Sequence, residues 1–190
     1  MSDIDYTYGY YAELNPHNVK IPFLMAGIEA PKFTTACELG FGQGMSINAH
    51  AAASNIAWYG TDFNPSQASF AQELSDVSGS NAQIFDQSFS EFCGREDLPD
   101  FDFIGLHGIW SWVSNENREI ITDFIRRKLK VGGVVYISYN TLPGWSAASP
   151  IRHMLTEHDH MHGSRGQGIG KRVKASIEFT QDLLKLCQPL

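Results

Sequence analysis

Basic residues are scarce in this chain. Its 190 residues carry 14 lysines and arginines against 21 aspartates and glutamates, a formal net charge of −7. Phosphate backbones select basic surfaces, so this balance argues against DNA or RNA as an obligate partner. Cysteine is nearly absent. Cys37, Cys93 and Cys187 share no metal or redox spacing, which suits a reducing, cytoplasmic setting, with Cys37 a buried thiol of the first strand. No apolar run reaches the roughly 20 residues that span a bilayer. The acidic, tyrosine-rich N-terminus lacks the character of a signal peptide. Internal repeats and low-complexity linkers are missing as well. What remains is 43% hydrophobic and 18% charged, a globular composition at a length that suits one α/β domain.

The most informative stretch is Ala36-Cys-Glu-Leu-Gly-Phe-Gly-Gln-Gly44. An apolar β-type run carries an acid, Glu38, near its end. Glycines follow at alternate positions, Gly40, Gly42 and Gly44, and a helical segment starts at Met45. A strand that turns sharply into a helix at the carboxyl edge of an open sheet forms a nucleotide-binding crevice. The dinucleotide fingerprint G-x-G-x-x-G places its third glycine where this chain has Met45. That disfavours the alternative of an NAD(P)-dependent oxidoreductase of similar fold. Residues 56–62 read as a second strand ending in Asp62, about twenty residues past the loop, where an acid can bond a ribose hydroxyl. This acid alone would suit NAD equally. Pro65 fits the first turn of the next helix.

The rest of the chain alternates strand and helix. Helix is expected at 18–27, interrupted near Pro22, then strand at 34–39, helix at 45–53, helix at 65–77 and strand at 82–85. Ser88 suits a helix N-cap. A fourth strand at 101–107 is apolar on both faces, as for a covered parallel strand. Helix follows at 116–129, then a helix stop and turn at 130–133, a fifth strand at 134–139, and two helices at 150–160 and 171–186. In the last, Val173, Ile177, Thr180 and Leu184 mark one face. The pattern implies an α/β fold, a Rossmann-like doubly wound parallel sheet. The expected division is an N-terminal arm and helix at 1–33, serving as packing or as a lid, a cofactor-binding core at 34–145, and C-terminal helices at 146–190. A fifth strand left as an open edge implies cover by the terminal helix or by a second copy of the chain, a homo-oligomer.

The E-x-G-x-G-x-G pattern resembles motif I of the class I S-adenosylmethionine-dependent methyltransferases. That resemblance implies that Glu38, Gly40, Phe41, Gly42 and Gly44 wrap the methionine part of the cofactor. It also implies that Asp62 holds the ribose, that Phe63 packs on adenine, and that Asp86, Gln87 or Ser88 contacts the adenine amino group. That fold ordinarily ends in two further strands, which this chain lacks after Trp145. His107-Gly-Ile-Trp-Ser-Trp-Val113, Ser138-Tyr-Asn-Thr-Leu-Pro-Gly-Trp145 and the tyrosine-rich arm with Leu14-Asn-Pro16 resemble a narrower group. These are bacterial methyltransferases carrying a methyltransferase regulatory domain, similar to bacterial protein-lysine methyltransferases. The resemblance covers about residues 6–185 and implies S-adenosylmethionine as cofactor, with S-adenosylhomocysteine as product.

The methyl acceptor, a protein or a small molecule, is left open, with a protein lysine implied by the resemblance. Trp110, Tyr139 and Asn140 are the substrate-side candidates, because an aromatic pocket suits a flat or cationic group. His107 is placed to contact cofactor, orient substrate or act as a base, or to serve structure alone. Asn140-Thr-Leu-Pro departs from the motif of amino-group nucleic-acid methyltransferases. The His158-Asp-His-Met-His162 run offers only His158 and His162 at helical ligand spacing, so no metal is expected. A non-catalytic cofactor-binding or regulatory module is the alternative from another class.

Overall fold

The computed structural model describes residues 8–164 and 166–186; Cys187 lies outside them. Five strands form one parallel sheet in the order β3-β2-β1-β4-β5. They are β1 (Thr35–Leu39), β2 (Ala57–Asp62), β3 (Gln83–Asp86), β4 (Phe101–Leu106) and β5 (Leu129–Ile137). The order reverses at β1, whose neighbours are β2 and β4, so its carboxyl end opens a crevice. Side chains alternate between the two faces. Ala36, Trp58 and Phe103 look toward a cluster with Ile47, Ala68 and Ala71 of the first two crossover helices. Cys37, Leu39, Ile104 and Leu106 look toward Phe92, Ile121 and Phe124 on the other side.

Local sequence sets most element boundaries. Helix α1 (Pro16–Met25) starts where Asn15 accepts the His17 amide at 2.9 Å and Pro16 presets the first turn. It continues through Pro22, where an interruption is expected from sequence. Pro22 removes a single donor, and the Ala26 amide still reaches its carbonyl at 3.0 Å. Helix α2 is Met45–Ala52. Helix α3 (Pro65–Ser78) is capped by Asn64 and stopped by Gly79. Helix α4 (Phe89–Cys93) opens on a full capping box between Ser88 and Glu91. Helix α5 (Asn115–Lys128) is capped by Ser114.

The largest departure from the sequence expectation is at β5. Residues 130–133, expected as a stop and turn, belong to β5. Between Phe101 and Phe103 of β4 the partner register runs from Leu129 to Val134, two steps against five. The surplus residues bulge out, with Gly132 at φ +81. The strand ends at Ile137, before the expected 139.

The chain separates into two compact units, one ending at Tyr139 and one beginning at Asn140. The second is a helical hairpin of α6 (Ser149–His162) and α7 (Ile169–Leu186). Within it, Arg172 pairs with Asp159, its Nε 2.8 Å from Oδ1. His158 bonds Ser176 Oγ at 3.0 Å and stacks on Phe179. Of the expected stripe only Thr180 is buried, next to Ser176 one turn earlier, while Val173, Ile177 and Leu184 are exposed. Burial of the two hydroxyls is tolerated because each donates to a carbonyl one turn earlier. Among the described residues, no helix is long and apolar enough to cross a membrane.

Candidate functional site

The crevice at the end of β1 is built from a loop whose glycines do different work. Gly40, Gly42 and Gly44 all take positive φ, at 75, 58 and 72. The Gly40 and Phe41 amides fold back onto Thr61 O, at 2.8 and 3.3 Å. The Gly42 amide donates to Asp62 Oδ2 at 2.9 Å. Gly44 is shaped by packing: a Cβ there would stand 2.4 Å from the Ala71 Cβ of α3. Asn48, buried one turn into α2, holds this approach by donating to Gly44 O and Ala71 O, each at 3.0 Å, and accepting from Ser80 at 2.7 Å. Sequence reasoning missed Asn48; its signal was an amide side chain four residues past the last loop glycine.

Two acids face each other across this loop. Asp62, at the end of β2, takes a backbone amide on each oxygen, from Gly42 and from Asn64 at 3.0 Å. A carboxylate has about four acceptor positions, so it retains capacity for further donors. Burial raises the Asp62 pKa against the pull of these amides, and Asp86 adds to the rise. Glu38 is 2% exposed, and its Oε2 has no hydrogen-bond partner. Burial first, then the charge of Asp62, push its pKa up to about 8. Its registered neighbours are Gly60 on β2 and Gly105 on β4. Glu38 is therefore the only side chain projecting from the middle of that row, which continues to Ile84 on β3 and Tyr136 on β5.

The other sequence candidates divide. Phe63 follows Asp62 and is 74% exposed. Phe41 sends its ring into the core. Asp86 is exposed at the end of β3. Gln87 donates its amide to Asp62 O at 3.2 Å, and its Oε1 is buried without a partner. Ser88 is engaged in the capping box, donating to Glu91 at 2.6 Å. His107 follows β4 directly and is half-buried, which lowers its pKa. Trp110 packs against the α4–α5 cluster on the face opposite Glu38, and its carbonyl accepts from Arg118 at 3.1 Å. Tyr139 is exposed past the end of β5. Asn140 begins the second unit.

The N-terminal arm belongs to the same unit as the sheet. Tyr8 meets Phe70 of α3 edge-on, and Tyr10 lies 3.2 Å from His50 of α2. The Tyr11 amide donates to Ser46 at 2.7 Å. Its ring stacks on His107 with centroids 4.0 Å apart. The short 3-10 turn Ala12–Leu14 then seats Leu14, wholly buried, over Gly105. The arm thus packs on the core and lies across the strand ends. Sequence reasoning gave no role to Tyr136, whose strand parity with Val134 places it on the Glu38 face.

No protein-family model matches the chain. It is 42% identical over 188 residues to the uncharacterized protein sll1526 of Synechocystis sp., covering 96% of this chain and 36% of that one. It is 32% identical over 187 residues to the uncharacterized protein RP789 of Rickettsia prowazekii, covering 92% and 32%. It therefore spans about a third of the length of these relatives. Among solved structures it is similar to PKMT2 from Rickettsia typhi in complex with AdoHcy, with a TM-score of 0.73 at 24% identity, covering 97% of this chain and 36% of that one. It is also similar to an S-adenosylmethionine-dependent methyltransferase from Clostridium acetobutylicum, with a TM-score of 0.51 at 15% identity, covering 70% and 50%. The fold is the Rossmann-like α/β fold of the class I methyltransferases.

Proposed function

We propose that the chain binds S-adenosylmethionine in the crevice between β1 and β2 and serves methyl transfer to an acceptor amine, a protein lysine being the class that best fits. The observation that carries this is Glu38: a buried carboxyl with an unpartnered oxygen, set between two glycines at the mouth of a glycine loop. Such an oxygen is costly to bury unless a ligand completes it. The residues fit the group. Glu38 and the loop would receive the amino-acid end, Asp62 the ribose hydroxyls, and Phe63 with Asp86, Gln87 or Ser88 the adenine. Bound there, the cofactor supplies a methyl group already activated on a sulfonium. The chain's own task is to position a nucleophile and keep its lone pair free. The acceptor arrives as an ammonium and gives its proton to solvent before transfer; of the forces at the site, desolvation is the one that favours the neutral amine.

The motif resemblance to methyltransferases with a regulatory domain, together with the fold of PKMT2, supports the lysine assignment. The acid-rich crevice supports a cationic acceptor. Calorimetric titration of the chain with S-adenosylhomocysteine and, in parallel, with NADH tests the cofactor assignment. Saturable binding of the first alone is the expected result; binding of NADH alone would replace it with the oxidoreductase reading.

A further inference from the structure

The arm does more than cover the strand ends. Its anchors lie along one path from α3, through α2, to β4. That path delivers the Tyr11 ring onto His107, and the His107 ring lies parallel to Tyr136 at an interplanar angle of 4°. Tyr136 Oη stands 3.5 Å from His107 Nδ1. In the sheet, Tyr136 is separated from Glu38 by Gly105 alone. The next residues of the arm form the turn Ala12–Leu14, which presents the exposed carboxylate of Glu13. Its charge acts on both His107 and Tyr136.

We propose that Tyr11, His107 and Tyr136 form the wall of the acceptor seat and that Glu13 draws the acceptor's ammonium to it, so that the arm helps set acceptor specificity. This rests on the reading that S-adenosylmethionine fills the neighbouring crevice. Three observations converge on it. Aromatic faces attract cations, most strongly where water is partly excluded, and this stack is half-buried. The charges that bear on the groups at the mouth are carboxylates: Glu13 on His107 and Tyr136, Asp62 on Glu38, and Asp86 on Asp62. A carboxylate or phosphate acceptor would be repelled there, whereas an alkylammonium is attracted. Independently, the unpartnered Glu38 oxygen marks this same sheet face as one that a donor-bearing ligand completes.

The test uses the 190-residue chain saturated with S-adenosylhomocysteine and, as probe, the blocked lysine Nα-acetyl-lysine methylamide. The ring resonances of His107 should shift saturably with this probe and not with its neutral norleucine counterpart. Glu13→Gln should weaken probe binding at least threefold, and Tyr11→Ala at least fivefold, while the affinity of both variants for S-adenosylhomocysteine stays within twofold of wild type. Glu13 is exposed, so its substitution leaves the fold intact. If wild type binds the probe and neither variant changes that affinity, the arm has no part in acceptor binding and the proposal fails. Equal response to the lysine and norleucine probes overturns it too. Failure of wild type to bind S-adenosylhomocysteine is a separate result, and it removes the cofactor reading on which the proposal stands.

Discussion

Glu38 and Asp62 are the side chains on which the site's electrostatics turn. A glutamate in an unfolded chain ionises near ~4.3, whereas Glu38 in the fold holds its proton up to about 8. A raised folded-state pKa contributes stability that is complete below the unfolded value and is lost as pH rises through the folded one. The ligand-free protein should therefore lose stability between those limits. Glu38→Gln should flatten that limb, melting above wild type at alkaline pH and level with it in mild acid, as read by calorimetry across the window. A cationic amine placed beside Glu38 would expel its proton. Binding of S-adenosylhomocysteine near neutral pH should release protons, measurable in buffers of different ionisation heat; absence of release would separate Glu38 from the ligand. Asp62→Ala removes the partner of the Gly42 amide as well as the ribose acceptor proposed above. Its affinity for S-adenosylhomocysteine should fall by at least ~1.5 kcal/mol, the scale of a charge-assisted hydrogen bond.

At the scale of elements, the α2–α3 contact decides where the loop can lie. A Cβ on Gly44 would strike Ala71 at 2.4 Å, with the α3 backbone at 3.2 Å behind it. The residue also sits at φ +72. Gly79 shares a left-handed φ, +62, but has open space around it. Gly79→Ala should cost roughly 1 kcal/mol, the backbone penalty alone. Gly44→Ala should cost on the order of 2–4 kcal/mol, since overpacking adds to that penalty, and should also loosen the loop. Denaturant melts of both variants give the comparison. Equal losses would mean that α3 yields and that the contact does not fix the loop.

Across the sheet-bearing unit, one side chain ties the strands at the end opposite the crevice. Asp102 accepts from the amide and hydroxyl of Thr34, at 2.8 and 2.7 Å, and from the Thr35 amide at 3.0 Å. Lys130 Nζ lies 3.0 Å from its other oxygen. Burial alone would raise its pKa, but these donors outweigh it and hold the carboxyl well below the usual range. The stability it contributes is present above the unfolded value, near ~3.9, and is lost as pH falls toward the folded one. Asp102→Asn should destabilise the protein by about 2 kcal/mol at neutral pH and shrink the gap to wild type in acid. A constant gap at all pH values would point to lost packing rather than lost charge.

The chain by itself determined the local elements. Prolines at 16 and 65, caps at Asn64, Ser88 and Ser114, and apolar runs act within a few residues, so the helices and strands expected from sequence, β5 apart, lie within about two residues of those observed. The glycine loop, Glu38 and Asp62 were legible for the same reason: they fall within one strand-loop-helix-strand unit, β1 to β2. The β5 bulge was not, because the surplus of residues exists only relative to β4. The placement of Trp110 on the far face depended on the path of a loop after its strand. Tertiary structure alone decided the arm. Tyr11 meets Ser46 and His107 across 35 and 96 positions of chain, and Glu38 is isolated by glycines on two other strands. Such contacts form only when parallel strands, joined through long crossovers, settle into register, and no local spacing encodes them.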